Sequence, residues 1–204
     1  MGMLSLRKPS AESLRHFLAS QGSEELTYSQ WGATAETPPP SFVLDHTRIR
    51  LGTGEGLFKA AQGALRRWQQ FDLGWVDAWP RDTTIEPGQV VAVMGRAVGL
   101  WWLNACRIVY VIDETDDSAS RYGFANGTLP AHIQKGEERF LLEWNRNDDS
   151  VWFDILAFSR PNKWLTRIGY PLVRRSQKRF AREAAAKMFH AVNNEAPLPE
   201  ICQS

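Results

Sequence analysis

The chain has 204 residues, a formal net charge of +1, 43% hydrophobic and 23% charged residues. That length suits one domain burying roughly 70% of its unfolded surface, with no need of a disulfide or metal staple. The composition excludes a disordered chain, and a balance near neutrality argues against a protein that coats nucleic acid.

Residues 10–21 read as a short helix with Ser10 as N-cap, Leu14, Phe17 and Leu18 on one face and Gly22 at the C-terminal end. Thr37 to Ser41 holds three prolines and reads as a loop. Residues 42–51 form a strand, with Val43, Thr47, Ile49 and Leu51 on one face and His46, Arg48 and Arg50 on a wet face. Residues 54–70 form a helix capped by Thr53, with Phe58, Ala61, Leu65 and Trp68 as its apolar stripe. From Trp75 to Ser159 the apolar period changes to two, giving strands at 74–79, 89–97, 102–114, 120–129, 137–146 and 151–159. Five of these six are joined by connections too short for a crossover helix, so the sheet is antiparallel. Residues 162–192 form a final helix with Trp164, Leu165, Ile168, Leu172, Phe180, Ala184 and Met188 as its stripe, interrupted near Gly169-Tyr170-Pro171.

The expected fold class is therefore α+β. A curved seven-stranded antiparallel sheet wraps on a long C-terminal helix, which is the helix-grip architecture. Gly95, Gly99, Gly123 and Gly127 are where the strands are expected to bend. Residues 1–41 are an N-terminal helix and linker packing on the main domain, 42–193 are the helix-grip domain and 194–204 are a tail. Nine Trp, ten Phe and four Tyr imply either a large core or a cavity lined with rings. Cys106 and Cys202 make no disulfide framework and fit no zinc spacing. With no signal peptide and no membrane-spanning stretch in view, a cytoplasmic location is expected.

Several blocks carry a resemblance to a known family. They are Leu26 to Thr34, Leu51-Gly52-Thr53-Gly54 running on to Gly74-Trp75-Val76, Tyr122 to Pro130 with His132 and Gly136 to Phe140, and Ala157 to Pro161 before a basic helix. The chain resembles the DUF1990 (UPF0548) family of uncharacterised proteins, grouped with the START-like, Bet v 1-like (SRPBCC) superfamily. The resemblance implies the helix-grip fold and supplies no reaction. Similar proteins tend to carry an aromatic where Asn126 stands, a Gly where Ala131 stands and a Pro where Ile133 stands.

Three functional readings follow. The first is binding of a small hydrophobic ligand between sheet and C-terminal helix. Its contacts would be Tyr122, Thr128, Glu138 and Arg107 as polar groups, with Trp75, Phe140 and Trp144 as apolar ones. Glu138 shares a strand face with Phe140, Leu142 and Trp144, and there it needs a partner such as Arg107 or Arg160. The small face Gly123, Ala125 and Gly127 admits either a ligand or close packing by the C-terminal helix. The second reading is an enzyme of cyclase, lyase or hydrolase type using His132 with Glu137 or Glu138. Against it stands a hairpin of solvated charges with a histidine that satisfies a turn.

The third reading is docking to an anionic membrane surface or an acidic protein through a basic helix. Between Arg160 and His190 nine Lys and Arg face Glu183 alone, a net +8 that leaves −7 for the rest. Arg174, Arg175, Lys178, Arg179 and Arg182 are its centre, and the alternative is a solvated outer face. Nucleic acid is disfavoured because no aromatic platform interleaves the charges. Gly52-x-Gly54-x-Gly56 fails the dinucleotide spacing, since Leu57 stands where a third Gly is required. No cofactor or metal motif is present, and the oligomeric state is not legible.

Overall fold

A computed structural model describes residues 4–97, 99–162, 170–193 and 197–204. Its elements in order are β1 (Leu4–Ser5), α1 (Ala11–Gln21), β2 (Val43–Thr53), α2 (Glu55–Arg66), a 3-10 turn (Gln69–Phe71) and β3 (Val76–Trp79). Then follow β4 (Val90–Ala97), β5 (Leu100–Thr115), β6 (Ala119–Thr128), β7 (Gln134–Asn145), β8 (Ser150–Pro161), α3 (Tyr170–Asn193) and β9 (Cys202–Gln203). The strands are antiparallel in the order β3-β4-β5-β6-β7-β8-β2-β9, with β1 beside β5. This is the α+β helix-grip fold, an open sheet curved around its C-terminal helix.

Several local expectations change. The sheet has nine strands and not seven, because two-residue strands near either end of the chain join it. The cap of α2 is Gly54, with its N–H on the Asp149 carbonyl at 3.0 Å, and Thr53 remains in β2. Gly22 ends α1 with a right-handed φ of −64°, and the Arg107 guanidinium donates to its carbonyl at 2.9 Å. The register shifts fall at Arg50/Gly52 and Ile108/Tyr110, away from the expected glycines. A bulge needs an extra residue, which most side chains can supply. The helix expected from 162 is described from Tyr170. Lys163 to Gly169, with Trp164, Leu165 and Ile168 of the expected stripe, lie outside the described residues.

Alternation along each strand sorts side chains onto two faces. The inner face carries Ile49, Leu51, Ile108, Phe124, Phe140, Phe153 and Ile155, all at most 2% exposed. It is covered by Phe58, Ala61 and Leu65 of α2 and by Ala181, Ala184, Ala185, Met188 and Phe189 of α3. Three alanines bring α3 close to the sheet. Leu172, expected in that stripe, is 64% exposed. Rings fill most of the enclosed space: Trp68 meets Phe124 at 5.1 Å between centroids, and Phe71 meets both Phe140 and Phe180 at 5.4 and 5.3 Å.

The outer face is covered as well. Leu14 and Phe17 of α1 pack on Ala92, Met94, Leu103 and Ala105. Tyr28, Ala33 and Phe42 pack around Phe158, with the Tyr28 and Phe42 rings edge-on to it at 5.6 and 5.1 Å.

Candidate functional site

The aromatic packing stops short of one end of the sheet–helix interface. A cavity of about 120 Å³ lies there between β2, β7 and β8 on one side and α3 on the other. The strand register explains it. Glu138 on β7 pairs with Ala157 on β8, which pairs with Asp45 on β2. Directly paired residues share a face, so this inward row reads Glu, Ala, Asp. The small Ala157 in the middle, with Ala181 of α3 also on the cavity wall, leaves volume that none of the described side chains fills. Ile155 and Phe180 supply further apolar wall, and Thr47, Gln177 and Gln203 supply polar wall.

The two carboxyl groups differ in state. Asp45 accepts both terminal nitrogens of Arg174, one at 2.5 Å, which ties the start of α3 to β2. Glu138 has no hydrogen bond to any described residue, and part of its surface faces the cavity. Burial, with the Asp45 charge second, pushes its carboxyl up to about 8. A carboxyl raised in this way keeps its proton to higher pH than an ordinary one, and in that form it can both donate and accept. Opposite Glu138 on β6 stands Asn126, 4% exposed, whose amide nitrogen and oxygen are both without a hydrogen-bond partner.

Of the residues expected to contact a ligand, Glu138 lines this cavity and the others lie elsewhere. Tyr122 is in the core under α2, where Arg66 stacks on its ring at 4.4 Å and donates to its hydroxyl at 3.0 Å. Thr128 ties the outer segment to β6: its hydroxyl accepts the Gly136 N–H at 3.0 Å and meets the Thr27 hydroxyl at 2.6 Å. Arg107 caps α1 on the outer face. It does not partner Glu138, because the neighbours Cys106 and Ile108 take the inner face. Arg160 lies over the Phe42 ring at 4.4 Å, also outside. Phe140 is packed a layer behind Phe180. Trp144 is at the far end against Phe58, and its indole N–H donates to Asp149. Trp75 donates to Glu183 at 2.6 Å beneath Arg179.

The expected trio of His132, Glu137 and Glu138 is not gathered on one cavity. Glu137 points outward, as its position next to Glu138 on a strand demands. There its carboxylate accepts the Tyr28 hydroxyl at 2.6 Å, the Gly32 N–H at 2.8 Å, and the Thr34 N–H and hydroxyl at 3.0 and 2.5 Å. Burial and this carboxylate together raise the Tyr28 phenol well above its ordinary range. His132 sits in the β6–β7 connection, where its Nδ1 accepts the Gln134 N–H at 3.0 Å. The small face of β6 meets the N-terminal segment and not α3: a Cβ on Gly127 would lie 2.5 Å from the Tyr28 hydroxyl.

The basic helix is partly neutralised in place. Arg174 pairs with Asp45, Arg179 with Glu183 at 2.7 Å and Lys187 with Asp72 at 2.9 Å. Arg175, Lys178 and Arg182 are exposed. Among the described residues no group of three His, Cys, Asp or Glu is placed to hold a metal ion. None of the described helices is long and apolar enough to cross a membrane.

Sequence reasoning missed Asp45 and Gln177. Both were legible by period: Asp45 has the parity of Thr47, Ile49 and Leu51, and Gln177 lies four residues before Ala181 on the sheet-facing side of α3.

The fold and the cavity define a helix-grip protein with a partly apolar recess lined by Asp45 and Glu138 at one end of the grip. The model for "Domain of unknown function (DUF1990)" matches residues 27–187, and the chain belongs to that family. It is 35% identical over 216 residues to a UPF0548 protein of Dictyostelium discoideum, covering 98% of this chain and 100% of that one. It is 35% identical over 202 residues to a UPF0548 protein of Deinococcus radiodurans, covering 93% and 98%. Among solved structures it is similar to human STARD10, with TM-score 0.48, 14% identity and 93% and 82% of the two chains covered. It is similar also to Ara h 8.0201, with TM-score 0.44, 12% identity and 72% and 98% covered.

Proposed function

We propose that this protein binds a small molecule with an apolar body in the cavity between the sheet and α3, with Glu138 as its polar anchor. The observation that carries the reading is a carboxyl group with no hydrogen-bond partner among the described residues, on the wall of a cavity of about 120 Å³. A buried polar group without a partner costs stability, and a ligand that supplies the partner recovers it. Ile155, Ala157 and Phe180 offer apolar surface, worth about 25 cal/mol per Å² removed from water. The volume holds about eight water-sized positions, so the ligand has no more than about ten non-hydrogen atoms inside. A cytosolic setting goes with this reading, on the strength of two free thiols.

The test is ligand-observed NMR with a library of such small molecules against the wild type and Ala157→Leu, which fills the cavity from the middle of its acidic row. Binders of the wild type that are lost in the variant are expected. No binder at all, or undiminished binding to a folded Ala157→Leu, overturns the reading.

A second reading rests on a separate observation. Arg175, Lys178 and Arg182 stand exposed on α3, and Leu172 beside them is 64% exposed. Cations with an adjacent apolar residue suit an anionic membrane surface. Flotation with vesicles containing phosphatidylserine, lost on joint charge reversal at 175, 178 and 182, supports it. Unchanged flotation, or none in the wild type, removes it.

A further inference from the structure

We propose that Glu138 is the receptor for the ammonium group of a small organic amine, with Asn126 beside it on β6 and the apolar body of the amine against Ile155, Ala157 and Phe180. The inference rests on the cavity-binding reading above and narrows its ligand to one chemical class.

Three observations lead to it. Glu138 and Asn126 are directly paired across β7 and β6, so both side chains leave the sheet on the same inward side. Neither has a hydrogen-bond partner among the described residues, and Asn126 is only 4% exposed. Glu138 therefore presents two carboxyl oxygens at the cavity wall, acceptors that an ammonium group satisfies, and the unpaired Asn126 amide stands next to them with an NH2 that the carboxylate form of Glu138 can accept.

Charge selects the class. Asp45, two strands away on β2, adds negative field at Glu138 and is itself held by Arg174. The other groups around Glu138 do not reverse that sign. From β5 comes the Cys106 thiol, which burial keeps protonated. From β8 come Ile155 and Ala157, and from β6 Asn126. From α3, Lys178 lies on the exposed rim and Gln177 is bonded to Gln134 and Ser159. The His46 imidazole bonds Asp154 at 2.5 Å. An anionic ligand would keep Glu138 protonated and gain no ion pair from it, whereas a cation draws the proton off and pairs with the carboxylate that remains. Phe180 on the wall adds a ring face that suits a cation beside it.

Glu138 is protonated when the cavity holds no cation. When R–NH3+ enters, the carboxyl loses its proton to buffer and becomes the carboxylate partner of the ammonium group. Binding therefore releases the proton that Glu138 still holds, up to one per ligand on the acid side of its raised titration.

The experiment is isothermal titration of the full chain with n-butylammonium chloride, 1-butanol, butyramide and butyrate. Each is measured in phosphate and in HEPES, which carry no primary ammonium and differ in ionisation enthalpy, so the proton count comes from the wild type alone. Tighter binding of butylammonium than of the three comparators, with proton release, supports the proposal. In the near-isosteric Glu138→Gln, checked for folding by its thermal transition, butylammonium binding weakens about tenfold or more and proton release disappears. Butanol or butyramide binding as well as butylammonium, or butylammonium binding undiminished in a folded Glu138→Gln, overturns the amine assignment and leaves the cavity reading standing. Binding of none of the four to the wild type overturns this proposal; failure of the wider library as well overturns the cavity reading.

Discussion

Glu137 and Glu138 are consecutive in the chain and serve opposite faces of the same sheet. The Glu137 carboxylate is 2% exposed and saturated by donors from Tyr28, Gly32 and Thr34. The Glu138 carboxyl faces the cavity and has no such donor. One residue of strand separates a structural carboxylate from a candidate binding group.

Replacing Glu137 by leucine strands the Tyr28 hydroxyl and two backbone N–H groups, so the variant should lose about 3 kcal/mol or more of stability. Chemical denaturation measures the loss. Hydrogen exchange locates it, with amides of residues 27–36 losing protection before those of β6 and β7.

Glu138 gives stability an unusual pH dependence. Its carboxyl is raised from the ordinary 4.5 to about 8 in the fold. Between those values the folded state holds a proton that the unfolded state has given up. Its contribution is therefore fully present below about 4.5 and is lost as pH rises through about 8. Glu138→Gln has no proton to lose and should gain stability relative to wild type as pH goes from 5 to 9, by a few kcal/mol at about 1.4 per pKa unit. Denaturant melts of both proteins at pH 5, 7 and 9 check this. A constant difference across the three refutes it.

Asp45→Asn removes the second cause of that raised value. The Glu138 titration should move down toward the ordinary carboxyl range, while burial keeps it above 4.5. Carbon-13 NMR of labelled glutamate carboxyls follows the shift directly. Because the same substitution releases Arg174, the start of α3 should exchange amide hydrogens faster.

Two glycines of β6 should respond differently to alanine. A Cβ on Gly123 would lie 2.2 Å from the Phe140 carbonyl oxygen, which is backbone of the paired strand and cannot step aside. A Cβ on Gly127 would meet the Tyr28 hydroxyl at 2.5 Å and two methyl groups, the ends of side chains that can shift. Gly123→Ala should cost about 3 kcal/mol or more and Gly127→Ala about 1–2, with the second loosening residues 26–34. Equal losses would show that the sheet yields as readily as the segment that covers it.

Much of the fold was legible in local pattern. Alternation placed β2 and β4 to β8 within a few residues, and spacing of three and four placed α1, α2 and most of α3, because backbone geometry imposes both periods on neighbours in sequence. The same alternation separated Glu137 from Glu138. It could not say what covers each face. Gly127 reads as a place for close approach, but only tertiary structure shows that Tyr28 makes it. Arg107 and Arg160 looked available to Glu138 because sequence gives charge and parity without position.

The family, the antiparallel order and the side of the sheet each strand residue takes are all contained in the order of the amino acids. Tertiary structure alone decided that the Trp and Phe rings pack against one another and that the remaining space is small and acidic. The reason is that a void is a difference between enclosed volume and side-chain volume, summed over elements far apart in the chain. Here it depends on Ala157 falling between Glu138 and Asp45, and that row exists only once β7, β8 and β2 are paired in register.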